Sequence, residues 1–260
     1  MLKPSHKRLT IHKNAVFFQC WAIGLPVSRL ASKPEYMTSK NPKSKKKNFT
    51  VSQKKREEVA NTLSHAAGIP VSVAVIALLA VFSALYGTVW HIVSFSIFGT
   101  SMLILYIAST VFHAVSNPRL KYFLNKLDHS AIYVLIAGSY TPLALTTLRG
   151  AIGWTLFGIV WALAIGGIVY KIWFYSPRYR KLSTWLYVAM GWLIVIVIGP
   201  VVNNLPERSL WLLLAGGISY SAGALFYLKK GQKLFHFVFH LFVLGGSILH
   251  FLAFLMMLPL

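Results

Sequence analysis

Ser109 and His113 stand four residues apart in STVFH, and His236 and His240 stand four apart in HFVFH. That separation puts both members of each pair on one helical face. Asp128, in KLDHSAIY at 126–133, and Glu207 are the only acidic residues beyond position 58, and Glu207 falls in a polar connection. Ser109 and His113 end one apolar segment, Asp128 opens the next, and His236 and His240 begin the last. Three imidazoles, one carboxylate and one hydroxyl are therefore expected at a common depth. Three His ligands with an open fourth position describe a catalytic type of zinc site. Softer, thiolate-bound metals are disfavoured, because the sole cysteine is Cys20. The alternative is a set of buried histidines that hydrogen-bond between helices. Among these residues His113, His236 and His240 are the candidate metal ligands.

The other histidines fit that site less well. His250 lies 14 residues beyond His236, about 21 Å further along a helix, too far to share the ion. His91 opens a segment at the opposite end, and His6 and His12 belong to the N-terminal arm. His65, in EEVANTLSHAAG, has the right depth for either a supporting role or a simple interhelical hydrogen bond. His129 follows Asp128 directly and points about 100° away from it.

The elements that must position these residues follow from composition. The 260 residues carry 26 Lys and Arg against 5 Asp and Glu, a net charge of +21. The hydrophobic share is 56% and the charged share 12%, whereas soluble domains average roughly 25% charged. This balance excludes a disordered chain, a collagenous chain and an ordinary soluble enzyme. It also excludes a soluble nucleic-acid fold, despite the positive charge. One cysteine cannot form an internal disulfide. Seven apolar segments, near 66–88, 91–113, 128–148, 151–173, 184–203, 210–228 and 235–258, each have the about 20 residues a membrane crossing needs. Lipid-facing backbone must be satisfied within its own segment, so these are helices. The fold class is an all-α membrane protein, a seven-transmembrane helix bundle. Gly166-Gly167, Gly216-Gly217 and Gly245-Gly246 are expected to permit close helix contact, and Pro142 and Pro200 to kink their helices.

Two regions divide the chain. Residues 1–58 form a basic extension with 14 Lys and Arg against three Glu, centred on KNPKSKKKN at 40–48. It is expected to be flexible and cytoplasmic, attracted to anionic lipid headgroups rather than to nucleic acid. Its apolar stretch at 15–27 is too short to span and is interrupted by Gln19. Met37 offers a second start. Residues 59–260 form the membrane domain. Alternate connections, starting with the N-terminal arm, hold 24 basic residues, and the opposite side holds only Arg149 and Arg208. Lys and Arg stay in the cytoplasm, which puts the N-terminus inside and the C-terminus outside. This is the reverse of a G-protein-coupled receptor.

At these positions the sequence resembles the hemolysin III family, the bacterial branch of the progestin and adiponectin receptor family. The matching pieces are EEVANTLSHAAG at 57–68, STVFHAVSNPRLK at 109–121, LDHSAIYVLIAGSYTPL at 127–143 and HFVFHLFVLGGSILHF at 236–251. The resemblance covers about residues 55–260 and leaves out the basic extension. It implies a multi-pass protein of the bacterial cell membrane with seven helices and the N-terminus inside. It also implies a zinc ion held by His113, His236 and His240, with Ser109 and Asp128 holding the water on that ion.

Two functions from different classes follow from the resemblance. One is a zinc-dependent hydrolase of amide-linked membrane lipid, like the related ceramidase-like proteins, with Asp128 as the base and Ser109 fixing the water. The other is a non-enzymatic cytolytic or lipid-homeostasis factor in which zinc is structural. A receptor-like role is a third reading. Seven helices with one buried acid offer little polar lining for a direct pore.

The charge distribution generates a test of topology. A reporter fused after Leu260 should be active only outside the cytoplasm, and one inserted near Arg178 only inside. The reversed pattern would overturn the orientation.

Overall fold

With no water in hydrocarbon to bond the backbone, a spanning segment must satisfy its own N–H and C=O groups. In the computed structural model of the protein this requirement is met by helices, with no strand among the described residues. The structure describes residues 51–174, 176, 179–229 and 234–259. The expectations for the basic arm up to residue 50, the apolar stretch at 15–27 and Met37 lie outside them.

Seven spans are long and apolar enough to cross a membrane. The first joins α1 (Val51–Ala66) to α2 (Gly68–Tyr86), and the second is α3 (Val89–Ala114). The third is α4 (Pro118–Pro142), which runs on into a π-helical turn at Leu143–Thr147. The fourth is α5 (Ala151–Val169), with a π-helical turn at Tyr170–Phe174. The fifth is broken into α6 (Arg180–Gly191), a 3₁₀ segment (Leu193–Val197) and α7 (Ile198–Asn204). The last two are α8 (Glu207–Leu228) and α9 (Phe235–Leu255). In the third span 72% of the most apolar stretch is buried, against 11% in the fifth. The α4 helix is thus the axis of the bundle, and α6 and α7 are its rim. The bundle closes where α9 packs on α8, α1 and α2, and α1 packs on α3.

Two helix starts differ from the sequence expectation. Residues 51–58, assigned to the flexible extension on charge, are the first two turns of α1. Asp128 does not open its helix. The Asn117 side chain accepts hydrogen bonds from the N–H groups of Arg119 and Leu120 at 3.0 and 3.4 Å, and Pro118 takes the first helical position. The α4 helix therefore starts ten residues earlier, and Asp128 sits about 15 Å along it. Lys171, near the end of the expected segment 151–173, is 1% exposed within the π-helical turn that ends the fourth span.

Irregular backbone is repaired by side chains. The Tyr140 hydroxyl donates to Gly191 C=O at 2.7 Å and accepts from Ile194 N–H at 2.9 Å, across the break in the fifth span. That break precedes Pro200, whose ring and missing N–H disturb the preceding turn. Lys126 Nζ donates to Ile172 C=O at 2.6 Å in the second π-helical turn. Arg180 donates to the Tyr227 and Leu228 carbonyls that end α8, at 2.8 and 3.2 Å. Ser247 joins three helices: its hydroxyl donates to Val243 C=O at 3.0 Å and accepts from Tyr106 and Tyr220, each at 2.9 Å. Beside it, a Cβ on Gly246 would stand 2.8 Å from the Tyr220 ring. That glycine makes the approach of α8 to α9 feasible.

Tyr140→Phe keeps the ring and removes both repairs at the break. A backbone group left unpaired away from water costs about 1–3 kcal/mol, so the variant should unfold at a clearly lower temperature in detergent. An unchanged melting midpoint would show that the break does not depend on Tyr140.

Candidate metal centre

The end of α3 and the start of α9 bring the candidate ligands together. His236 Nε2 lies 3.1 Å from His240 Nε2 and 3.2 Å from His113 Nε2. The three donor atoms all fall within 4.8 Å of one another, with His113 and His240 buried and His236 partly so. The pairing of one turn of α9 with a residue 123 positions earlier turns the sequence spacing into a site.

The opposite ring edges test whether a cation fits. His113 Nδ1 is 2.7 Å from Glu58 Oε2, and a carboxylate can only accept, so the proton is on Nδ1. His240 Nδ1 is 2.9 Å from Ser64 Oγ. That hydroxyl already gives its hydrogen to Asn61 C=O at 2.8 Å, so it accepts from Nδ1. When neutral, both rings therefore turn an Nε2 lone pair towards the centre. A neutral His236 can donate to only one of them. Three converging nitrogens with at most one proton among them leave a close approach that hydrogen bonding does not explain and that a divalent cation does. Imidazole donors suit a first-row metal such as zinc, copper, iron or nickel. The Glu58 carboxylate behind His113 is also the usual kind of support that fixes a ligand's tautomer.

Glu58, Asn61 and Ser64 were not singled out for the site from sequence. Glu58 bonds Lys121 Nζ as well, at 2.7 Å through Oε1, so α1, α3 and α4 meet at one carboxylate. Its spacing of three from Asn61 and seven from His65 is a helical-face signal. The adjacent basic arm concealed it.

A cavity of about 380 Å³ opens beside the histidines. His236, His240, Ser109 and Asp128 line it at this end. Ser109 is 1% exposed, and its hydroxyl has no hydrogen-bond partner among the described residues. Asp128 Oδ2 lies 3.7 Å from His129 Nδ1. His129, expected outside the site, is in its wall: Nδ1 donates to Asn125 C=O at 2.7 Å and Nε2 accepts from the Tyr227 hydroxyl at 2.9 Å. Buried Lys171 lies within electrostatic reach of Asp128 and has its ammonium 5.7 Å from the centre of the Tyr187 ring. The remaining lining is mostly apolar, from Leu143 and Val195 to Trp211. His250 is at the deep end, outside the ligand set, as its distance along the helix requires. A Cβ on Gly216 would fall on its ring.

Residues 53–251 match the family described as "Haemolysin-III related". A "Hemolysin-3 homolog" of Bacillus subtilis (strain 168) is 48% identical over 192 residues, covering 74% of this chain and 90% of that protein. "Hemolysin-3" of Bacillus cereus is 47% identical over 196 residues, covering 75% and 89%. The "Monocyte to macrophage differentiation factor" of Homo sapiens is 29% identical over 203 residues, covering 76% and 82%. With seven apolar helices and these relatives, the chain is a multi-pass cell-membrane protein that belongs to the haemolysin III family.

Proposed function

We propose that the protein is a zinc-dependent hydrolase of amide-linked membrane lipid. The observation that carries this reading is the opening of the histidine cluster onto a largely apolar cavity that also holds Asp128 and Ser109. A site that only fastened helices together would need no such space beside it. His113, His236 and His240 would hold the ion through Nε2. A bound zinc ion supplies Lewis acidity, polarising a carbonyl and lowering the pKa of water to about 7.

The chain's own groups do the rest. The apolar walls take the acyl chain and exclude bulk water from the amide. Asp128 accepts a proton from the attacking water, whose oxygen bonds to the amide carbon as the C–N bond breaks. The same carboxyl then returns the proton to the leaving amine, and a fatty acid and an amine are released. The Ser109 hydroxyl, unpaired among the described residues, orients the water. With the N-terminus inside, as the basic connections argue, this chemistry lies near the cytoplasmic face, where the basic arm meets anionic lipid headgroups.

Metal content and turnover are read on the same preparations. Purified protein should carry about one zinc per chain. His236→Ala or His240→Ala should each remove most of it, while His250→Ala keeps it. Equal loss in all three would place the ion elsewhere.

Asp128→Asn should keep the zinc and slow release of fatty acid from an amide-linked lipid by about 10²–10⁴-fold, the usual weight of general acid–base catalysis. Full activity in zinc-loaded Asp128→Asn would remove the base role. No activity of the unmutated protein across a broad panel of amide-linked lipids would favour the non-enzymatic membrane factor with structural zinc.

A further inference from the structure

One cavity residue has no task in the mechanism above. His65 of α1 lines the cavity with Ser109, Asp128, His236 and His240, and is 3% exposed. Its ring centre lies 3.6 Å from that of His240, and it meets the Tyr106 ring edge-on at 5.3 Å. Packing against two rings fixes the imidazole plane. Yet neither ring nitrogen has a hydrogen-bond partner among the described residues, and His65 is not among the converging donors of the metal cluster. A neutral imidazole carries one N–H and one lone pair. Buried polar groups are nearly always paired, and an unpaired one calls for an explanation.

We infer that His65 is the hydrogen-bonding contact for the polar head of the bound lipid, a binding residue distinct from the metal ligands. This rests on the hydrolase reading and adds to it the means of recognition. The two unmet nitrogens offer a donor and an acceptor on different edges of one ring. An amide with a neighbouring hydroxyl supplies the complementary acceptor and donor. A lipid without the hydroxyl satisfies only one edge. Contact with His240 holds the ring beside the metal cluster, so a head group bound by His65 brings its amide to the site's reactive end while the acyl chain follows the apolar walls. Rejection of a ligand that leaves a buried polar group unpaired is the strong form of polar specificity.

The test uses the full-length, zinc-loaded protein and a probe that cannot turn over: the sulfonamide isostere of an N-acyl amino alcohol with a fluorescent acyl chain. His65→Phe keeps a ring against His240 and Tyr106 but has no hydrogen-bonding atom. His65→Gln keeps a donor and an acceptor. His65→Phe should weaken probe binding about tenfold or more, the usual consequence of an unpaired buried group. It should leave zinc content unchanged, and His65→Gln should recover a large part of the affinity. Capping the probe's hydroxyl with a methyl group should weaken binding to the unmutated protein and have little effect on His65→Phe. Equal probe affinity in the unmutated and His65→Phe proteins would overturn the inference and leave the hydrolase reading standing. Loss of zinc in His65→Phe would also overturn it, because His65 would then act through His240. Absence of both probe binding and lipid turnover in the unmutated protein would overturn the hydrolase reading, and this inference with it.

Discussion

Two protons on the outer edges of two imidazoles determine what this bundle can hold. Glu58 takes the Nδ1 hydrogen of His113 and Ser64 takes that of His240, so both rings, when neutral, present a lone pair at Nε2. Without those partners either ring could adopt the other tautomer, and the three nitrogens would become a chain of hydrogen bonds. Both partners lie on α1, which packs on α3 and α9 alike. The first span is therefore the brace of the site, although it supplies none of the three ligands.

The bilayer imposes the second constraint. A cavity inside a helical membrane protein requires helices to separate or break, and each break releases backbone groups that lipid cannot satisfy. Here the fifth span breaks at Leu193–Val197, next to the cavity, and Tyr140 reaches from the central helix to bond Gly191 before the break and Ile194 within it. The π-helical turn at Tyr170–Phe174, bonded by Lys126, shows the same economy. Polar side chains on the axis of the bundle serve the irregular backbone of its rim, so apolar surface can be left free for a ligand.

Much of the site was legible in the sequence because it is periodic. A spacing of four on α3 and on α9 defines two faces, and the charges of the connections put those faces at one end. The supports were not legible, because they depend on pairings 55 and 176 residues apart. Glu58 and Ser64 look like the polar start of a helix until α3 and α9 are packed against them. The start of α4 was readable in principle, since Asn117-Pro118 is a helix-opening signal; the polar composition of 118–127 argued against a helix that extends past the hydrocarbon. The cavity left no periodic trace. LIVIV at 193–197 reads as unbroken apolar helix, and only the folded chain shows a 3₁₀ segment there.

Three histidines that hold a metal leave one position for a lighter ligand. X-ray absorption at the zinc edge of purified protein reads that coordination directly. Three imidazole nitrogens at about 2.0–2.1 Å and one oxygen are expected. A closed shell of four imidazoles would contradict it, as would a spectrum without imidazole scattering.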